Sequence, residues 1–513
     1  MKTKMVKKNR ILILGVLLVI VSSCNQYHDK RYDVQETIVV ESKTDDMSGN
    51  DESYKEIIEN GFKGVYTAPL STFSIDVDRA SYSNIRRMIN NGQRVAEDAV
   101  KVEEMINYFK YDYKLPIDEH PLAIHAEEGN TPWNKETKLI KIGLKGKEIP
   151  TQDMLASNLV FLIDVSGSMS QQNKLPLLKK AFRLLVAKLR KEDKVSIVVY
   201  AGAAGVVLEA TSGGNKEKIM SAFDNLTAGG GTAGGEGIEL AYKIAENNFI
   251  RNGNNRVILA TDGDFNIGMN SDKEMGVLIK EKRETGVFLT CMGFGMGNYK
   301  DSKLETLADL GNGNHAYVDT MQEAQRIFGL EFGGTLFTIA KDVKIQVEFN
   351  PKKIKAYRLI GYENRMLKDE DFIDDTKDAG ELGSGHTVTA LYEIIPIGVK
   401  SKYYKEMSDL KYTKKVIKDS DELFTVKLRY KKPKENQSNK LEYVFLGDKE
   451  EESTDFKFAA SVAWFGMKLR GSEYIQYQNL EDIIDLAKSN KGKDEQGYRA
   501  EFIRLMNSYK GIR

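Results

Sequence analysis

The stretch NLVFLIDVSGS, residues 158–168, determines the fold prediction. Its five consecutive apolar residues, Leu159–Ile163, are typical of a strand buried on both faces of a sheet. The run ends at Asp164, and Ser166 and Ser168 follow at alternate positions. Ligands of open α/β sheets bind beyond the carboxyl ends of the strands. The stretch therefore predicts a buried strand with an oxygen-rich site at its end.

Strands and helices alternate outward from this stretch. Apolar runs at Val195–Tyr200, Val257–Ala260 and Val287–Gly293 predict further strands, and Lys179–Leu189 has the spacing of an amphipathic helix. This rhythm predicts a doubly wound α/β domain with a mostly parallel sheet, assigned to residues 155–338.

The regions on either side, residues 56–150 and 341–513, also contain predicted strands, chiefly Pro121–Glu128, Lys138–Leu144, Val343–Phe349 and Val388–Ile395. The first region has two predicted helices as well, at Ala80–Asn90 and Val102–Phe109. No helices separate the strands of the second region, which favours an antiparallel sheet, and helical periodicity from Asp455 onward predicts closing helices. Because the ends of an inserted domain usually lie close together, we hypothesise one β-rich domain built from both flanks.

Two further loops carry oxygen side chains. The glycine-rich segment Gly229–Gly235 presents Thr232, and the strand Val257–Ala260 is followed by Asp262 and Asp264. The predicted metal site consists of hydroxyl and carboxylate oxygens from Asp164, Ser166, Ser168, Thr232 and Asp262. Such hard ligands suit Mg²⁺, with Mn²⁺ or Ca²⁺ as alternatives, and Asp264 is expected near the metal without binding it.

This five-residue pattern resembles the metal-ion-dependent adhesion site of von Willebrand factor type A domains. The segments at residues 69–82 (PLSTFSIDVDRASY) and 357–365 (YRLIGYENR) are similar to the flanks of one bacterial subfamily of such proteins, often exported lipoproteins. The resemblance implies that the protein is not an enzyme. It implies instead that a partner protein is bound through a divalent ion, with an Asp or Glu of the partner completing the coordination.

The N-terminus has the features of a lipoprotein signal peptide at residues 1–23. Five basic residues precede the apolar run Ile11–Val21, which is too short to span a bilayer comfortably, and Ser22-Ser23-Cys24 follows. We expect lipidation at Cys24, a polar tether over residues 24–55, and a bacterial envelope location. Asn25 favours the outer membrane. Cleavage before Cys24 would turn the balanced 75 basic and 75 acidic residues into a net charge of −5.

Composition excludes several classes of protein. Two Cys and five His rule out a zinc site of three or four thiolates and a framework of several disulfides. The absence of excess basic charge argues against nucleic-acid binding. No Lys-Ser/Thr follows Gly229–Gly235, so a nucleotide-binding phosphate loop is not predicted.

Two alternative functions remain open at this point. One is a scaffold or chaperone for envelope complexes in which the metal is purely structural. The other, less favoured, is a metal-dependent hydrolase, which would need a general base. His315 and His386 are the only nearby candidates, and a lone His in a strand is usually structural, so the sequence offers no convincing base. Among other singled-out residues, Asp78 is predicted to cap the following helix and Cys291 to be a core thiol.

Overall fold

The computed structural model of the protein describes residues 52–75, 77–231, 234–263, 272–297, 299–331, 334, 337–405, 417–447 and 451–512. The predicted signal peptide, Cys24 and most of the tether lie outside the described residues, as do Thr232 and Asp264. None of the helices formed by the described residues is both long and apolar enough to cross a membrane.

The N-terminal flank combines short strands with two buried helices. Its elements are β1 (Lys63–Gly64), β2 (Leu70–Ser74), α1 (Ala80–Asn90), α2 (Val102–Asn107), β3 (Leu122–Asn130) and β4 (Lys138–Gly146). Helix α1 is buried over nearly its whole length, since other elements cover it on several sides.

The central region forms the predicted α/β domain. Its elements are β5 (Ser157–Asp164), α3 (Leu175–Lys188), β6 (Lys194–Tyr200), β7 (Ala204–Ser212), α4 (Lys216–Asp224), α5 (Gly234–Asn247), β8 (Asn254–Thr261), α6 (Asp272–Glu284), β9 (Val287–Phe294), α7 (Asp301–Leu310), β10 (His315–Val318) and α8 (Met321–Ala324). Within the described residues the strand order is β10-β9-β8-β5-β6-β7, parallel except for β7. The doubly wound prediction is confirmed.

Strand β5 lies at the centre of this sheet and is covered by helices on both faces. Its alternate residues enter different cores: Phe161 packs with Phe182 of α3, while Leu162 belongs to the core that contains Ile238 of α5. A strand buried on both faces needs apolar side chains at every position, which explains the continuous run in the sequence.

The C-terminal region is β-rich and ends in helices. Its strands are β11 (Thr338–Phe349), β12 (Ile354–Ile360), β13 (Gly380–Gly383), β14 (Thr387–Pro396), β15 (Phe424–Lys431) and β16 (Asn439–Phe445), and three helices follow at Thr454–Arg470, Leu480–Ser489 and Tyr498–Tyr509.

The two flanks form one β-rich unit, as hypothesised. Strand β4 pairs with β14, with Lys141 opposite Leu391, and β1 and β2 pair with β12 and β11. All these pairs are antiparallel, and the two resulting sheets share one apolar core. Helices cover the outer face of the β4–β14 sheet, where Trp133 and Trp464 pack with ring centroids 6.5 Å apart.

A buried arginine connects the flanks to the α/β domain. Arg86 of α1 is fully buried, and its guanidinium donates to Asp319 at 2.5 and 2.7 Å, Glu323 at 2.9 Å and Glu501 at 3.1 Å. Asp319 and Glu323 flank the start of α8, and Glu501 belongs to the last C-terminal helix. The cluster therefore joins three separate parts of the chain.

Two sequence predictions are corrected by the structure. The sequence pattern predicts one helix over Met321–Phe337, but the structure is α-helical only from Met321 to Ala324 and continues as a π-helix at Gln325–Leu330. Asp78 does not cap α1, because its Oδ1 accepts the backbone N–H of His315 at 2.9 Å. The Asp78 carboxylate, which the local pattern assigned to capping α1, instead accepts a hydrogen bond from a residue distant in sequence.

Candidate functional site

The two carboxylates of the predicted site lie at the ends of neighbouring strands. Asp164 is the last residue of β5, and Asp262 directly follows β8. The strands are parallel and adjacent, with Ile163 opposite Ala260, so both side chains lie at the carboxyl edge of the sheet. Asp164 and Asp262 are each fully buried.

The loop after β5 folds back onto its own aspartate. The backbone N–H of Ser166 donates to Asp164 Oδ1 at 2.8 Å, and the hydroxyl oxygens of Ser166 and Ser168 lie 3.0 Å apart. Ser166 is buried and Ser168 is exposed. The DxSxS spacing thus brings one carboxylate and two hydroxyls together, the second of them on an exposed residue.

The other oxygen of Asp164 is held by two hydroxyls that the sequence analysis missed. Tyr200, at the end of β6, donates from its hydroxyl at 3.2 Å, and Thr261, at the end of β8, donates at 3.3 Å. Both residues end strands that neighbour β5, and this strand-end position was a signal that could have identified them.

Burial and nearby negative charge act on the pKa of Asp164. Burial raises this pKa, hydrogen bonds from Ser166 partly oppose the rise, and the charge of Asp262 adds to it. A divalent cation would relieve both unfavourable effects, since opposite charge favours the ionised carboxyl.

The glycine-rich loop is attached to the DxSxS loop through its backbone. Gly229 N donates to Val165 O at 2.7 Å, and Gly167 N donates to Gly230 O at 3.1 Å. Gly230 has φ of +88°, a conformation that favours glycine. These bonds place the described start of the loop beside the site, whereas Thr232 lies outside the described residues.

Asp262 has a cationic partner that sequence reasoning also missed. Lys174 Nζ donates to Asp262 Oδ2 at 2.8 Å, and both side chains are buried. Lys174 immediately precedes α3, and no periodicity or motif in the sequence distinguishes it from the other lysines of that region.

The described donors fit a hard divalent cation by their chemistry. Carboxylate and hydroxyl oxygens converge at one sheet edge, and the Lys174 ammonium shows that a cation is already accommodated against Asp262. No group of three or more His, Cys, Asp or Glu side chains arranged for a metal occurs among the described residues. A metal here would accordingly depend on the serine hydroxyls as well as on Asp164 and Asp262.

The other chemically notable residues are engaged elsewhere. Cys291 is a fully buried free thiol, as predicted, and burial raises its pKa. His315 shares a 2.7 Å hydrogen bond with Tyr299. His386 is buried in the flank, where desolvation and the charge of Arg79 lower its pKa to about 3.

Comparison with known families covers most of the described chain. The model of the von Willebrand factor type A domain matches residues 158–329, and a model described as von Willebrand factor matches residues 48–141. A third, described as uncharacterized protein YfbK, C-terminal, matches residues 334–512.

Two relatives illustrate the extent of this similarity. Uncharacterized protein YfbK of Escherichia coli (strain K12) is 42% identical over 470 residues, which are 90% of this chain and 81% of the relative. Uncharacterized protein sll0103 of Synechocystis is 28% identical over 190 residues, 37% of this chain and 44% of that protein. The first match extends through both flanks and confirms the resemblance, inferred from the sequence, to bacterial type A proteins with flanking regions.

Solved structures give weaker likenesses. A von Willebrand factor type A protein from Catenulispora acidiphila is 14% identical, covers 78% of this chain and 98% of its own, and has a TM-score of 0.40. The conserved hypothetical protein BatB from Bacteroides thetaiotaomicron is 21% identical, covers 34% and 97%, and has a TM-score of 0.30. Neither likeness is strong enough to bear on function.

Proposed function

The chain belongs to the family of the E. coli protein YfbK, a bacterial von Willebrand factor type A protein with flanking domains, and from this membership we propose a metal-dependent binding function. The type A domain gives the protein a role in protein interaction. We propose that it binds a partner protein through a divalent cation at the edge of the α/β sheet, without chemical turnover, and that it is anchored in the bacterial outer membrane by a lipid on Cys24.

One observation carries the proposal: two buried carboxylates and a pair of serine hydroxyls meet at the carboxyl ends of adjacent strands. Asp164, Ser166, Ser168 and Asp262 would hold the cation, together with Thr232 from the glycine-rich loop. Mg²⁺ is the preferred ion because it takes oxygen ligands and is bound by few protein carboxylates. When bound, the ion supplies a coordination position for a carboxylate of the partner.

The chain's own groups favour binding over catalysis. A hydrolase would need a general base within reach of its metal-bound water. Neither of the two histidines considered for that role suits it. His315 shares a hydrogen bond with Tyr299, and the pKa of His386 is lowered to about 3, which makes its imidazole a weak base. These features support a site that holds a ligand and does not transform it.

The exposure of Ser168 supports access by a partner. Ser168 is an exposed residue, whereas Ser166, whose hydroxyl oxygen lies 3.0 Å from that of Ser168, is buried. A cation held by both hydroxyls would therefore be approached from the Ser168 side, which is where a partner carboxylate would enter.

Affinity capture tests the proposal. The tagged full chain is extracted in detergent and used to capture cross-linked envelope proteins in Mg²⁺, in EDTA, and as the Asp164→Ala variant. We expect a specific partner in Mg²⁺ alone, with capture lost in EDTA and in the variant. Asp224→Ala is the matched control, because Asp224 is an exposed carboxylate paired with Arg183 outside the site.

Two other results would change the proposed function. Equal capture in Mg²⁺ and EDTA would contradict binding through a metal. A rise in melting temperature with Mg²⁺ without any captured partner would instead support the scaffold role, in which the metal is structural.

Membrane attachment is tested separately by Cys24→Ala. We expect wild-type chain in the membrane fraction, labelled by a fatty-acid probe, and an unlabelled variant. Labelling of the variant to the wild-type level would exclude Cys24 as the lipid-bearing residue.

A further inference from the structure

A buried ammonium group lies against one carboxylate of the proposed metal site. Lys174 precedes α3 and reaches the end of β8, where its Nζ lies 2.8 Å from Asp262 Oδ2. The exposed fractions of the two side chains are 3% and 0%. Burying two opposite charges is costly unless they are paired, so this contact is a specific feature of the site.

A glycine leaves room for the lysine side chain. Gly295 follows β9 with φ of +80°, and a Cβ on this residue would lie 2.3 Å from Lys174 Cε and 2.6 Å from Cγ. Any larger residue would displace the lysine stem. The approach of Lys174 to Asp262 is therefore supported by a second loop.

The two carboxylates of the site have different surroundings. Asp164 accepts hydrogen bonds from the neutral groups of Ser166, Tyr200 and Thr261. Asp262, in contrast, contacts a full positive charge. The three described charged groups, Asp164, Asp262 and Lys174, carry a net charge of −1, where the two carboxylates alone would carry −2.

We infer that Lys174 tunes the charge of the metal site, weakening divalent-cation binding and favouring an anionic partner group once the cation is bound. This inference rests on the proposed function. With Lys174, a bound divalent cation gives the site a net charge of +1; without it, the loaded site would be neutral. A net positive site attracts a carboxylate, whereas a neutral one does so less.

Replacing Lys174 should change metal affinity in the direction opposite to that expected from loss of the fold. If Lys174 served only to hold the fold, replacing it would leave metal affinity unchanged or reduce it. If it tunes the charge, replacing it with a neutral residue increases metal affinity.

The test is a calorimetric titration of Mn²⁺ into the full chain in detergent at one fixed pH. We expect Lys174→Met to bind Mn²⁺ at least tenfold more tightly than wild type, and Lys174→Arg to bind like wild type. Lys174→Gln, which can still donate a hydrogen bond to Asp262, gives a second neutral variant if the methionine variant folds poorly. Lys179→Met is the control, because Lys179 on α3 is only partly buried and donates to a backbone carbonyl away from the site.

A second titration addresses the anionic group. Acetate is added to the Mn²⁺-loaded chain and its binding is followed by water proton relaxation. We expect weaker acetate binding in Lys174→Met than in wild type at equal Mn²⁺ occupancy.

The outcomes separate the two levels of the argument. Equal or weaker Mn²⁺ affinity in both neutral variants, with wild type binding Mn²⁺, overturns the role of Lys174 and leaves the proposed metal site intact. Absence of Mn²⁺ binding in every variant, including wild type, overturns the metal site and the inference together.

Discussion

Replacing each site carboxylate by its amide should have unequal effects on stability in the absence of metal. Asp262→Asn removes the charge that pairs with buried Lys174, and breaking one partner of a buried ion pair costs about 3–5 kcal/mol. Asp164→Asn removes a carboxylate whose described donors are neutral and whose ionisation burial already disfavours, so the loss is no more than about 1 kcal/mol, the value of one ordinary hydrogen bond. Asp262→Asn should therefore be less stable than Asp164→Asn by about 2 kcal/mol or more.

Urea unfolding in EDTA, followed by circular dichroism, measures this difference. The double variant Lys174→Met with Asp262→Asn is the control, because removing both charges should recover a substantial part of the loss. If Asp262→Asn and Asp164→Asn lose the same stability, or if the double variant recovers none of it, the buried ion pair does not have the importance we assign to it.

Three further predictions concern stability and the Lys174 contact. Arg86→Met should cost at least about 3 kcal/mol in urea unfolding, because Asp319, Glu323 and Glu501 lose their closest cation. Glu381→Gln should stabilise the chain at pH 7.5 by about 4 kcal/mol, because burial raises the pKa of Glu381 to about 8 whereas the unfolded chain ionises this carboxyl at about pH 4.3. Gly295→Ala should displace Lys174 and increase Mn²⁺ affinity in the direction expected for Lys174→Met, as measured by calorimetry.

Each of these predictions has a control or a contrary outcome. Arg94→Met is the control for Arg86→Met: Arg94 is exposed, so its replacement should change the free energy of unfolding by no more than about 0.5 kcal/mol. A loss in Arg86→Met as small as this would contradict the importance of the buried network. For Glu381, folded-state pKa exceeds unfolded-state pKa, so wild-type stability falls as pH rises from about 4.3 towards 8. The gain from Glu381→Gln must therefore shrink as pH is lowered to 5; a gain independent of pH would contradict ionisation as its cause. Unchanged Mn²⁺ affinity in Gly295→Ala would show that the lysine stem adjusts without moving its ammonium.

The sequence was sufficient to predict the elements on which the site depends. The run Leu159–Ile163 is apolar at every position because β5 is covered on both faces. Asp164 could be placed at the end of this strand because the apolar run stops there. The discontinuous β-rich domain was predictable because predicted strands lie just before and just after the alternating region, and the β4–β14 pairing confirms it.

The missing parts of the site depend on contacts between distant segments. Lys174 reaches Asp262 across 88 positions of sequence, and Tyr200 reaches Asp164 across 36. Lys174 leaves no periodic or spaced signal, and the position of Tyr200 at a strand end indicates its partner only once the order of the strands in the sheet is known. Asp78 gives the opposite example, in which a local pattern was misleading. The pattern predicted a helix cap, but the carboxylate accepts a hydrogen bond from the backbone of His315, 237 positions away.

Electron paramagnetic resonance of Mn²⁺ titrated into the full chain tests the central claim most directly. The account predicts one tightly bound Mn²⁺ per wild-type chain, none in Asp164→Ala, and a change in the bound spectrum when the captured partner is added. Equal Mn²⁺ binding by wild type and Asp164→Ala, or a bound spectrum that the partner leaves unchanged, would contradict a cation shared between the two proteins.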